Sequence, residues 1–378
     1  PNILDSLGVR YYTQKNYTKA ITCLKSAADA GNAQSQYRMG CILESGSVVK
    51  KNLKMAISYY RLAAKQGHPD ALYTIGYLFE TGKGLPKNDT QAINFYKQAI
   101  EKGNHKAEYS LGYMYDRGDG VAQDYAQAVK YYTPAALHGN ANAQNNLAYL
   151  YENGLGVDKD LSAAANYYRL AADQGHAKAQ NNLGYMYQQG IGVSQDIPKA
   201  QKYYKLAADQ GLASAQYLLG VSYMTYVRDT TKLPYAAKYL EMAAQQGHLK
   251  AAKRLGLMYN TGLLVAQSYM KSFEYFKIAA DLGDPEAEFQ VGCMYLYAQG
   301  VARNTFEALK YLKLSAEQGH ANAMYEIGGM YSRGDGVERN ITLAIKYLKR
   351  AAKHGAPEAI KLLKKLDTFE VNRVYSGD

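Results

Sequence analysis

The stretch Asn104-His105-Lys106-Ala107-Glu108-Tyr109-Ser110-Leu111-Gly112-Tyr113-Met114-Tyr115-Asp116-Arg117-Gly118-Asp119-Gly120-Val121 decides the fold of this chain. Ala107, Leu111 and Tyr115 recur at i, i+4 and i+8, the apolar stripe of an amphipathic helix. That helix runs out at Arg117-Gly118-Asp119-Gly120, where glycine supplies the positive φ of a helix end. Val121 turns back toward the core. Asp124 then caps a second helix, its carboxylate accepting from first-turn N–H groups. Ala128, Tyr131, Tyr132, Ala135 and Ala136 give this second helix its own stripe, and Gly139 ends it. The stretch therefore reads as a helix, a glycine loop and a second helix.

The same unit recurs in both directions. Ten glycines, Gly31, Gly67, Gly103, Gly139, Gly175, Gly211, Gly247, Gly283, Gly319 and Gly355, stand at an unbroken spacing of 36 residues. A fixed period of this size means one supersecondary unit, copied and stacked. The second-helix cap reads Asn52, Asn88, Asp124, Asp160, Asp196, Ser268, Asn304 and Asn340. A glycine recurs inside the first helix (Gly40, Gly76, Gly112, Gly184, Gly220, Gly256, Gly292, Gly328), with Ala148 in its place once. Glycine there costs about 1 kcal/mol against alanine, so its recurrence predicts close helix–helix approach. Pro69, Pro285 and Pro357 all fall two residues after the repeat glycine, a first-turn position that tolerates proline.

At 378 residues a compact chain would divide into two or three domains. A stacked repeat overrides that prior, because each unit contacts only its neighbours. Tyrosine is abundant at 38 residues, while there are 8 prolines and no tryptophan. No segment approaches the roughly 18 apolar residues of a membrane span. The three cysteines, Cys23, Cys41 and Cys293, make no disulfide framework and read as small core residues. The formal net charge is +11. More than half of it lies between Ile341 and Leu366, where seven bases (Lys346, Lys349, Arg350, Lys353, Lys361, Lys364, Lys365) face one acid, Glu358.

Alternating helices with Ala…Leu-Gly-x-Met-Tyr, then Gly-x-Gly-Val, then Ala…Tyr-Tyr…Ala-Ala…Gly, resemble Sel-1-like repeats, the longer-looped relatives of tetratricopeptide repeats. The resemblance covers roughly residues 32–366. It implies an all-α, right-handed solenoid of antiparallel helix pairs. It places a tetratricopeptide-like first pair at 1–31, nine Sel-1-like repeats over 32–355, a capping helix at 356–366 and a polar tail at 367–378. Three places depart from the pattern. Tyr226, Arg228 and Lys232 replace loop and cap residues, which predicts an irregular connection around 225–235. Leu264 replaces a second loop glycine, and Ala298 a first one. The family consists of scaffolds and adaptors, some of them in bacteria that engage host proteins. The resemblance thus implies protein binding without catalysis; no cofactor or small-molecule substrate is expected, and no nucleic acid, because the bases lack stacking aromatics beside them. Family habit favours export, to periplasm or host, over the cytoplasm. The chain opens at Pro1, with no signal peptide in view.

In tetratricopeptide arrays the first helix of each pair lines a concave groove. Carried over by alignment on the Leu-Gly pair, the groove positions are Tyr37, Tyr73, Tyr77, Tyr109, Tyr113, Asn145, Tyr149, Asn181, Tyr185 and Tyr217. An acidic row, Glu44, Glu80, Asp116 and Glu152, runs beside them. Asparagine offers both a donor and an acceptor to an extended peptide, and tyrosine offers large contact area at low entropy cost. These residues are expected to grip a partner segment carrying bases, provided that Asn145 and Asn181 are not buried. The basic end is read either as a polar terminal cap or as a surface for anionic lipid. His68, His176, His248 and His320 each follow a repeat glycine and lack metal-site spacing. Arg117-Gly118-Asp119 and Arg333-Gly334-Asp335 are explained as helix-end loops. No nucleophile–base pair stands at a motif-like spacing.

Overall fold

The fold was read from a computed structural model that describes residues 2–226 and 233–376. It contains α-helices only among these residues, and they form two units. The first unit, to Asp196, holds α1 (Asn2–Thr13), α2 (Tyr17–Asp29), α3 (Ala33–Ser45), α4 (Leu53–Lys65), α5 (Pro69–Thr81), α6 (Asp89–Glu101), α7 (His105–Arg117), α8 (Tyr125–Leu137), α9 (Ala141–Asn153), α10 (Leu161–Asp173) and α11 (Ala177–Gln189). The second, from Ile197, holds α12 (Ile197–Asp209), α13 (Ala213–Thr225), α14 (Leu233–Gln245), α15 (Leu249–Thr261), α16 (Tyr269–Asp281), α17 (Pro285–Tyr297), α18 (Thr305–Glu317), α19 (Ala321–Arg333), α20 (Ile341–Lys353) and α21 (Pro357–Ser376).

Within each pair the helices run antiparallel and very close. A Cβ placed on Gly112 of α7 would lie 2.8 Å from the Tyr132 ring of α8, and one on Gly76 of α5 equally near Tyr96 of α6. The helical glycines are therefore the seats of second-helix side chains, as the sequence pattern predicts. The rings they receive, Tyr60, Tyr96 and Tyr132, are with Tyr168, which lies opposite Ala148, the largest fully buried side chains of the first unit. In the second unit Leu240, Phe276, Leu312 and Leu348 do the same. Burying each such side chain contributes about 1.5–3 kcal/mol.

The repeat joint explains the second loop glycine. A Cβ on Gly156 would lie 2.2 Å from the Tyr125 carbonyl carbon, at the start of the preceding repeat's second helix. Only a residue without a side chain fits against that backbone. All ten repeat glycines, Gly31 to Gly355, take positive φ. Asn52, Asn88, Asp124, Asp160, Ser268, Asn304 and Asn340 cap their helices through the side chain.

Leu264 and Ala298, where loop glycines are missing, keep the loop shape with φ of 64° and 56°. The irregular connection expected around 225–235 falls at 227–232, outside the described residues. The last helix differs from expectation. It does not stop at Leu366 but runs to Ser376, because no glycine or proline interrupts it before Gly377. The supposed polar tail is thus mostly helix.

Candidate functional site

Four tyrosines of the first helices reach solvent at the repeat period: Tyr77 (43% exposed), Tyr113 (36%), Tyr149 (51%) and Tyr185 (41%). Each directly follows the buried small residue of its helix, Gly76, Gly112, Ala148 or Gly184. One residue on is about 100° around the helix, so the ring leaves the core stripe and faces outward.

The neighbouring predicted positions lie deeper. Tyr73 and Tyr109 are half-buried against Tyr96 and Tyr132, with ring centroids 5.7 and 5.9 Å apart. Burial pushes both phenols up. Tyr37 stacks on His68 at 4.9 Å, and Tyr217 of the second unit on His248 at 4.7 Å. Asn145 and Asn181 are half-buried, and their Oδ1 atoms are shielded from solvent with no hydrogen-bond partner among the described residues. Asn145 donates to Asn146 at 3.1 Å, and Asn146 donates to the Tyr132 hydroxyl at 3.1 Å. The expectation that both amides offer an open acceptor to a passing backbone is therefore corrected: that oxygen is turned inward.

The acidic row has a role that the sequence reading missed. The Tyr60 hydroxyl donates to Glu44 at 2.7 Å, Tyr132 to Asp116 at 3.0 Å and Tyr168 to Glu152 at 2.8 Å, and Tyr96 donates to Glu80. A buried phenol needs an acceptor for its O–H, and the carboxylate 16 residues earlier supplies it. One oxygen of each acid is thereby held in place. Burial raises Asp116, with the Tyr132 hydroxyl working against it. Burial would also raise Glu44, but Lys83 at 2.7 Å and the Tyr60 hydroxyl more than offset it, and its carboxyl sits low. The signal was in the repeats: an acid accompanies four of the five tyrosines at this position (Gln188 stands before Tyr204), whereas Leu296 accompanies Leu312.

The recurrent histidines also find a use. The Nδ1 atoms of His68, His176, His248 and His320 each accept from the backbone N–H three residues on, capping the first helices. The Nε2 atoms of His68, His176 and His320 meet Gln34, Asn142 and Glu286 of the preceding repeat at 3.0–3.1 Å. In both Arg-Gly-Asp tripeptides the glycine is the left-handed cap that ends α7 or α19.

At the basic end, Lys346, Lys349, Arg350, Lys353, Lys361, Lys364 and Lys365 are all exposed. Their helices, α20 and α21, bury Leu348, Ala351 and Ala359 in one cluster. Among the described residues no helix is long and apolar enough to cross a membrane.

A family model described as the Sel1 repeat matches residues 7–32, 33–68, 69–104, 105–140, 141–176, 177–212, 213–248, 249–284, 285–320 and 321–355. The chain belongs to the Sel1 repeat family. The opening pair, read from sequence as tetratricopeptide-like, matches the same model as a short unit. Its turn lacks the glycine loop and gets its positive φ from Lys15.

Among solved structures the chain is similar to a protective antigen of uropathogenic Escherichia coli strains displaying an SLR fold. The identity is 27% and the TM-score 0.67, over 97% of this chain and 87% of that one. It is also similar to a Sel1 repeat protein from Oxalobacter formigenes, at 28% identity and TM-score 0.64, over 81% and 89% of the two chains. No curated protein matches the chain.

Proposed function

We propose that this chain is a non-catalytic adaptor that holds a segment of a partner protein along the first-helix face of its N-terminal unit. The observation that carries this reading is the row of Tyr77, Tyr113, Tyr149 and Tyr185, exposed at one position of successive repeats. Tyr113 leans on Tyr109 with ring centroids 6.2 Å apart, yet a large part of each of the four rings stays in solvent. Aromatic rings fixed on rigid helices give binding area at little entropic cost. The pinned carboxylates of Glu80, Asp116 and Glu152 supply negative charge nearby, which favours a segment carrying bases. Sel1 repeat proteins generally serve as protein-interaction scaffolds, and the family supports this reading. The likeness to a protective antigen supports placing the chain among exported members, engaging proteins outside the bacterial cytoplasm.

A second reading rests on the seven exposed bases of α20 and α21, which suit an anionic lipid surface. One experiment separates the two. Partners are captured from cell extract with the intact protein, with a variant carrying Tyr77→Ala, Tyr113→Ala, Tyr149→Ala and Tyr185→Ala, and with a variant carrying Lys361→Gln, Lys364→Gln and Lys365→Gln. The expected result is a partner lost only from the tyrosine variant, with its melting temperature unchanged. Retention by the tyrosine variant, together with salt-sensitive binding to phosphatidylserine vesicles that the glutamine variant loses, would move the function to the basic end.

A further inference from the structure

One repeat departs from its neighbours in three residues that meet in space. The position of His105, first in its helix, is alanine, proline or leucine in the other Sel1 units from residue 33 on. The positions of Glu108 and His138 are commonly both glutamine, and there the two amides bond to each other: Gln66 to Gln36 at 2.8 Å, Gln174 to Gln144 at 2.7 Å. In the repeat of α7 and α8 the pair becomes carboxylate and imidazole, and a second imidazole joins them.

His105 Nδ1 lies 3.3 Å from one Glu108 oxygen and His138 Nδ1 lies 3.2 Å from the other. The rings stack with centroids 3.4 Å apart. One ligand atom from each residue lies within 4.8 Å of the other two. Glu108 itself is only 7% exposed.

We propose that His105, Glu108 and His138 form a zinc-binding site. Zinc bonds nitrogen and oxygen at about 2.0–2.2 Å, so adjacent donors of a tetrahedral zinc stand about 3.3–3.5 Å apart. Each nitrogen already stands at about that distance from one oxygen of Glu108, and a small rotation of the side chains, whose donors lie within 4.8 Å of one another, closes the set on one ion. With the proton on Nε2, both Nδ1 lone pairs face carboxylate lone pairs, an arrangement that a cation between them resolves. Two imidazoles and one carboxylate suit zinc rather than calcium or magnesium, which take mostly oxygen ligands. Three protein ligands leave a fourth position. The histidine side chains are 53% and 44% exposed, so that position is open to water or to a donor from a bound partner. A metal-free trio, with each Nδ1–H donating to Glu108, is the competing arrangement.

Other repeats supply benign test variants, because Glu108→Gln and His138→Gln install the residues used at Gln36 and Gln66 and at Gln144 and Gln174. The full chain is stripped with chelator and titrated with Zn²⁺ by calorimetry, and Co²⁺ is added in parallel as a visible-absorption probe. The expected result is one Zn²⁺ per chain with micromolar or tighter affinity, and cobalt bands of four-coordinate geometry. Each glutamine variant should weaken binding at least ~10-fold while keeping the helical circular dichroism of the metal-free protein. His68→Asn, outside the cluster, should bind as the parent does. Absence of stoichiometric Zn²⁺ binding, or unchanged binding by both glutamine variants, would overturn the proposal.

Discussion

Histidine capping shows how one residue's chemistry reaches the stability of the array. His68, His176 and His248 each accept a backbone N–H through Nδ1, which only an unprotonated ring nitrogen can do. Burial lowers all three below the ordinary 6.5. Asp70 partly counters this at His68, while Lys178 and Lys250 reinforce it at the other two. With the folded values lowered, the unfolded chain binds more protons between the two sets of values, so stability rises with pH across that window. The capping contribution is complete above about pH 6.5 and is lost as pH falls toward the folded values. The triple variant His68→Asn, His176→Asn, His248→Asn uses the cap of other repeats, Asn104 and Asn140. Its urea midpoint should match the parent near pH 7.5 and fall less between about pH 6.5 and 5. Equal acid sensitivity in both proteins would refute this. The spacing of these histidines was plain in the sequence. Their role was not, because histidine is not among the usual capping residues and the Nε2 partner lies 34 residues away.

At the scale of the element, the loop between paired helices was legible almost residue by residue, since glycine is the residue that takes positive φ without strain. The exceptions are informative. Ala298 ends α17 in the left-handed conformation where α7 uses Gly118, and a Cβ there costs about 1–2 kcal/mol. Ala298→Gly should therefore raise stability by about 1 kcal/mol despite the greater freedom of glycine in the unfolded chain, seen as a higher urea midpoint with an unchanged slope. A lower midpoint would mean that the methyl group makes a contact outweighing the strain. The helical position that is glycine in α7 and alanine in α9 makes the opposite point. Ala148 is fully buried, so that pair has room for a methyl group, whereas a Cβ on Gly112 would lie 2.8 Å from the Tyr132 ring.

For the whole molecule, a stacked array leaves an apolar face at each end unless something covers it. At the C-terminal end α21 does so: Ala359 is fully buried, and Leu362, Leu363 and Leu366 pack on the cluster that holds Leu348 and Ala351 of α20. Truncation after Gly355 should lower the melting temperature by several degrees, increase binding of a hydrophobic dye and promote aggregation. A chain with an unchanged melting curve would show that α21 is dispensable for folding, leaving its bases to account for it.

The sequence by itself determined the helix pairs, their caps, their glycine loops and the period that stacks them. Those features depend on backbone propensities and on one apolar stripe per helix, both written within a dozen residues. The tertiary structure alone decided how the tyrosines divide. Tyr132 is sealed in the core and Tyr113 stands in solvent, although both belong to tyrosine-rich helices of the same repeat. It also decided that Asp116 answers Tyr132, that Asn145 turns its oxygen inward, and that His105, Glu108 and His138 converge. Each of these turns on a contact between side chains of different turns or helices. Such a contact is set by how closely two backbones approach, which no single helix's pattern records.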